Sequence, residues 1–313
     1  MGRVDLVWLA DALVIGAMVA LVVLVGLAWR GGWWRAGYLG AGPRRPVGVG
    51  GMDLLVGFGL LLVGGEVFGL ARGWLSDGTD VSAVEGEAGW RVLGDGVLLR
   101  QGVIGVVGQC LGFGLVVGYA VWRVGRRRGG LRRWGLWGGV RGESGVGRAL
   151  WRGVVLGVAG LIVVMPVALL AGEAYELVMG EPAPQIAHPM LDMMRAASAW
   201  WAVLPLVVSA VVLAPLFEEL LFRGVLQTVL VKRLGWRSEV LGGAGRWVGV
   251  GLTAGLFGVI HLGSVEAVSL PGLVVLGVVL GAYYERTGDL LGCVVGHAVF
   301  NAANVVLALY VVG

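Results

Sequence analysis

Eight runs of mostly apolar residues, parted by clusters of charge, Gly and Pro, constrain what this chain can fold into more than any other feature. They lie at about 6–28, 52–72, 97–122, 149–171, 199–231, 247–263, 268–285 and 290–312. A helix needs roughly 20 mostly apolar residues to cross a hydrocarbon core about 30 Å thick, so runs of this length read as spans. Only 14% of the 313 residues are charged and 58% are hydrophobic, whereas a soluble domain has about a quarter of its residues charged. The expected fold is all-α, a polytopic membrane helix bundle of about eight transmembrane helices. The fifth run is too long for a simple span and is expected to overrun into the cytoplasm or to break near Pro215. The first lacks a clear cleavage site and is expected to be a retained helix rather than a signal peptide. The 59 glycines are a packing feature of helices in lipid, as in the small-residue spacing of Gly108, Gly112 and Gly118. Cys110 and Cys293 fall in apolar runs and read as small core residues.

Arginines set the orientation, because Lys and Arg resist translocation. Segment 29–47 carries Arg30, Arg35, Arg44 and Arg45 without an acid, and 123–148 carries a dense arginine run against Glu143 alone, so both are expected on the cytoplasmic side. The stretches 73–96 and 172–195 are acidic and are expected outside; Lys232, Arg233, Arg237 and Arg246 return the chain to the positive side. With eight spans, both termini lie outside. The arginine run around Arg126–Arg133 is what topology and anionic lipid require, so the bilayer is the expected partner and nucleic acid is not. The chain divides into residues 1–148, holding the N-terminal transmembrane helices and the basic cytoplasmic loop, and a core at 149–313.

That core holds the chemistry. An ionisable group inside a span costs a few kcal/mol, so each one needs a partner or a purpose. Such groups gather late in the chain: Glu218, Glu219 and Arg223 in one apolar run, His261 in the next, and His297 with Asn301 in the last. Residues four apart share a helix face while neighbours point about 100° apart. Glu219 and Arg223 can therefore form an internal ion pair, which makes Glu219 mainly structural, while Glu218 points elsewhere without a local counter-charge and is placed to act as a general base. His297 and Asn301 present an imidazole and an amide on one face, a pair able to hold an oxyanion. Counted at 1.5 Å per residue, Glu218 lies roughly 21 Å from Lys232, His261 roughly 22 Å from Arg246 and His297 roughly 16 Å from Arg286, so three spans can bring them to overlapping depths. His188, beside Pro189 in an acidic external stretch, reads as solvated.

Three motifs in this order, Glu218-Glu219-x-x-x-Arg223, Phe257-x-x-x-His261 and His297-x-x-x-Asn301, resemble the CPBP family of intramembrane endopeptidases, also called the Abi or CAAX protease family. The resemblance covers about residues 213–304. It implies that Glu218 and His261 activate a water for attack on a scissile carbonyl and that His297 and Asn301 stabilise the oxyanion. It further implies that Glu219, Arg223 and Phe257 support the site, and that the catalytic cavity opens toward the cytoplasm. The implied substrate is a membrane-associated peptide or protein, prenylated or not. Family members are described both as metalloproteases and as metal-free glutamate enzymes. The expectation is accordingly no cofactor, or else a divalent metal such as zinc on Glu218, His261 and His297, with the metal-free route favoured because no His-Glu-x-x-His helix is present. Two other classes compete: a proton-coupled transporter using the same acids and imidazoles as a relay, and a non-catalytic membrane scaffold or immunity-type protein.

Overall fold

The computed structural model describes residues 30, 39, 50–75, 86–126, 135–136, 145–183, 189–235, 244–262 and 264–310. Over these residues the chain is built of eight helices and no strand. They are α1 Gly51–Leu75, α2 Gly86–Gly125, α3 Val146–Met179, α4 Pro189–Ala196, α5 Trp200–Leu234, α6 Ala244–Val259, α7 Leu270–Thr287 and α8 Leu290–Tyr310. The all-α membrane bundle is thus borne out. Among the described residues, five helices are long and apolar enough to cross a bilayer, namely α2, α3, α5, α7 and α8. Only 22–39% of their most apolar windows is buried, and large apolar side chains such as Trp151, Leu170 and Leu177 point outward. A protein whose apolar faces look out has lipid as its solvent, so this is an integral multi-pass membrane protein.

The structure corrects the expected spans in several places. The first apolar run, 6–28, lies outside the described residues, as does His188. Of the run at 247–263 the structure describes α6, which ends at Val259, and the turn that carries His261; residues 236–243 before it lie outside the described residues. The fifth run does not break at Pro215: α5 continues through it. The helix absorbs this length by widening into two π-helical segments, Val208–Leu213 and Leu220–Gln227, with an α-helical stretch Ala214–Glu219 between them. Pro215 follows directly on the first π segment, and the Ala210 carbonyl, five residues before it, accepts from the Asn301 side chain instead of from a backbone N–H that proline lacks.

Glycine brings helices together at Gly112 of the spacing first noted, though not at Gly118, and at several other positions. A Cβ on Gly118 would meet open space, whereas one on Gly64 of α1 would lie 2.7 Å from the Gly112 Cα of α2. The tightest seam that matters for the site joins α3 to α8. There a Cβ on Gly157 would lie 2.6 Å from the Gly296 carbonyl oxygen, and one on Gly153 2.9 Å from that of Gly292. On α7, a Cβ on Gly277 would fall 2.9 Å from the Ala254 Cβ of α6. These contacts draw α3 onto α8 and α6 onto α7, and a Cβ on Gly249 of α6 would lie 2.7 Å from Val231 of α5, the close approach that small residues permit in lipid. Cys293 is buried as expected, but Cys110 is exposed on α2 and is not a core residue.

Candidate active site

α5 carries two adjacent carboxylates with different surroundings. Glu219 is fully buried, and its Oε1 accepts a hydrogen bond from Arg223 Nη1 at 2.9 Å. Arg223, also fully buried, gives a second bond from Nη2 to the Gly277 carbonyl at 3.3 Å and lies 5.1 Å over the Phe257 ring. Burying a guanidinium and a carboxylate together is tolerable only when each is paired and bonded. The internal ion pair read from the spacing is therefore present.

Glu219 does more than balance Arg223. The same Oε1 accepts from His297 Nδ1 at 2.9 Å, across 78 residues of sequence. Because the carboxylate only accepts, Nδ1 must carry a proton, which leaves Nε2 as the variable ring atom. His261 reaches the same state by another route. It sits on the turn just beyond α6, with its Nδ1 2.7 Å from the Phe257 carbonyl, again an acceptor only. Both imidazoles are thereby turned so that Nε2 faces Glu218: His261 Nε2 lies 3.9 Å from Glu218 Oε1, and His297 Nε2 3.9 Å from Glu218 Oε2. One carboxylate thus faces two ring nitrogens from two other helices, each ring held by its far nitrogen.

Phe257 supports this arrangement from below. Fully buried, its ring packs edge-on to Phe222 at 5.1 Å and to His297 at 5.7 Å, and lies 4.8 Å from His261. An aromatic in contact with both imidazoles and with Arg223 restricts the rotation of all three.

Asn301 stands apart from the group. Its Nδ2 donates at 2.8 Å to the Ala210 carbonyl in the first π segment. One amide hydrogen is thus engaged by backbone, and the second remains.

The gap between Glu218 and each Nε2 exceeds a direct hydrogen bond and admits a water in reach of both partners. One carboxylate and two imidazoles are also donors of the kind zinc takes, and to hold it they would have to close from 3.9 Å to about 3.4 Å from one another. Among the described residues no group of three or more His, Cys, Asp or Glu is arranged to hold a metal ion.

Residues 199–303 match the family model described as Type II CAAX prenyl endopeptidase Rce1-like. The C-terminal third is thus similar to Rce1-like endopeptidases. This bears out the resemblance to the CPBP family drawn from the three motifs, all of which lie inside the Rce1-like stretch. Comparison with curated proteins and with solved structures gave no match. The matched stretch runs from α5 through most of α8 and contains every residue of the cluster.

Sequence reasoning passed over a second buried polar group in the matched stretch. Gln227, fully buried, donates from Nε2 to the Gly281 carbonyl at 2.9 Å and to Glu285 at 3.1 Å. Glu285 in turn faces Arg246 at 3.8 Å. The signal was available: Gln227 extends the four-residue series Glu219, Arg223, Gln227, and Glu285 is an acid in an apolar helix.

Proposed function

We propose that this protein is an intramembrane endopeptidase of the CAAX type, in which Glu218 and His261 activate a water against a peptide bond. The observation that carries the reading is the convergence on Glu218 of two imidazole Nε2 atoms, each at 3.9 Å and each fixed through Nδ1. A water held between Glu218 and His261 has two acceptors to orient it. Glu218 takes one of its protons as the oxygen attacks the scissile carbonyl carbon, and the carbonyl electron pair moves onto oxygen. The remaining amide hydrogen of Asn301 and a protonated His297 Nε2, supported by the Glu219 carboxylate, receive that oxyanion. On collapse, the C–N bond breaks and Glu218 returns its proton to the leaving amine.

The substrate class is a membrane-associated peptide or protein, and a prenylated C-terminal segment is its first candidate. The reading includes a cavity that opens toward the cytoplasm, in keeping with the side expected of the arginine-rich segments. Water activated without a metal is the proposed route, since a carboxylate and an imidazole acceptor suffice to orient and deprotonate it.

Purified protein in detergent or bilayer nanodiscs, assayed on matched prenylated and unprenylated peptides, tests this reading. Glu218→Gln and His261→Ala are expected to abolish cleavage while the protein stays folded. Unchanged cleavage in the Gln variant removes Glu218 from the mechanism. Stoichiometric zinc with chelator-sensitive turnover overturns the metal-free route, and proton flux in liposomes without peptidase activity favours a transporter.

A further inference from the structure

Two side chains bond to carbonyls within the π segments of α5, one on each side of the glutamates. In the first segment the Ala214 N–H reaches back five residues to the Ser209 carbonyl, the π register. The Ala210 carbonyl beside it accepts from Asn301. In the second, the Arg223 carbonyl accepts from the hydroxyl of Thr228 at 3.0 Å. This bond is unusual. A helical Thr turns its hydroxyl back to the carbonyl three or four residues earlier, as Thr253 does to Gly249 and Thr287 to Tyr283. Thr228 reaches five residues back, and it is buried.

We propose that Thr228 is a positioning residue for the candidate active site: its hydroxyl on the Arg223 carbonyl holds the second π segment, and so sets the rotation at which the glutamates face the imidazoles. At the foot of the segment its last residue, Gln227, ties α5 to Gly281 and Glu285 of α7. Above it, Asn301 ties α5 to α8 through Ala210. Glu218 and Glu219 lie between. An α-helix turns by about 100° per residue, and a π turn holds one residue more. If the second segment lapsed into α register with Gln227 anchored, the helix above it would rotate by about 100°. Glu219 would then leave His297, and Glu218 would turn from both Nε2 atoms.

The catalytic half of this proposal rests on the peptidase reading, and the geometric half does not, so the test reads both. Thr228→Val keeps the shape and removes the hydroxyl; Thr228→Ser restores it. The chain has three histidines, so protein labelled at His ring nitrogens gives a small set of signals in which the His297 Nδ1–H, bonded to Glu219, reports the geometry directly. Thr228→Val is expected to lower kcat roughly five- to tenfold with KM unchanged, to displace the His297 ring signal, and to leave that of His188 in place. Thr228→Ser is expected to recover both. A Val variant with unaltered kcat and an unmoved His297 signal overturns the proposal, as does a loss that Ser does not restore. Should Thr228→Val fail to fold, Thr228→Ala takes its place with the same readouts. If the natural sequence cleaves no peptide while the His297 signal moves as expected, the peptidase reading fails and the positioning role stands.

Discussion

Removing the charge partners of α5 separately and together distinguishes what Glu219 does for stability from what it does for His297. Glu219 and Arg223 are both fully buried and meet at 2.9 Å. Deleting one member of such a pair strands the other charge, at a cost of about 3–5 kcal/mol, whereas replacing both by apolar residues is often close to neutral. Arg223→Met alone and Glu219→Leu alone are each expected to lose about 3–5 kcal/mol. The double variant is expected to lose far less than their sum. It removes both charges but leaves the His297 Nδ1–H without its acceptor, a buried unmet donor worth about 1–3 kcal/mol. Catalysis is expected to behave differently. A carboxylate that fixes an imidazole from behind is typically worth 10- to 100-fold, so the double variant, though restored in stability, stays roughly 100-fold slow. Denaturant unfolding in mixed micelles measures the first quantity and peptide cleavage the second. Strictly additive losses would show that the pair is not coupled, and a double variant with full turnover would show that the Glu219–His297 contact is catalytically idle.

Three further outcomes follow from packing. Gly157→Val places a side chain against the Gly296 backbone, where a Cβ already comes within 2.6 Å; a loss of about 1–3 kcal/mol is expected, with turnover falling because α8 carries His297, and thermal unfolding beside an activity assay checks both. Phe257→Ala empties a fully buried site that touches Phe222, Arg223 and both imidazoles, and is expected to cost about 3–5 kcal/mol by chemical unfolding. Gln227→Leu removes a hydrogen bond to Glu285 and leaves it the Arg246 contact at 3.8 Å among the described residues, for an expected loss of about 1–3 kcal/mol; Gln227→Leu combined with Glu285→Leu should recover part of it in the same assay.

How much of this was legible beforehand depends on the range of the interaction. The Glu219–Arg223 pair is a four-residue contact on one helix, and spacing reveals it. The concentration of acids and imidazoles in late apolar runs identified the helices that meet. What spacing could not supply was the partner of each group across the bundle. The tie from His297 to Glu219 crosses 78 residues, and Asn301 finds a backbone carbonyl that is available only because α5 departs from α register. Since π segments have no strong composition of their own, an overlong span with a proline read as a break. Cys110 shows the opposite limit: in lipid an apolar run is apolar all round, so hydrophobicity no longer distinguishes the inside from the outside.

The place of His261 just past the end of α6 has a consequence for how the two imidazoles are held. His297 is built into a helix, whereas His261 follows the last helical residue, Val259, and is kept in line by a turn and by the contact of its Nδ1 with the Phe257 carbonyl. Turns open at lower free energy than the helices they follow. Of the two rings that face Glu218, the one on the turn is therefore the one that local opening releases first.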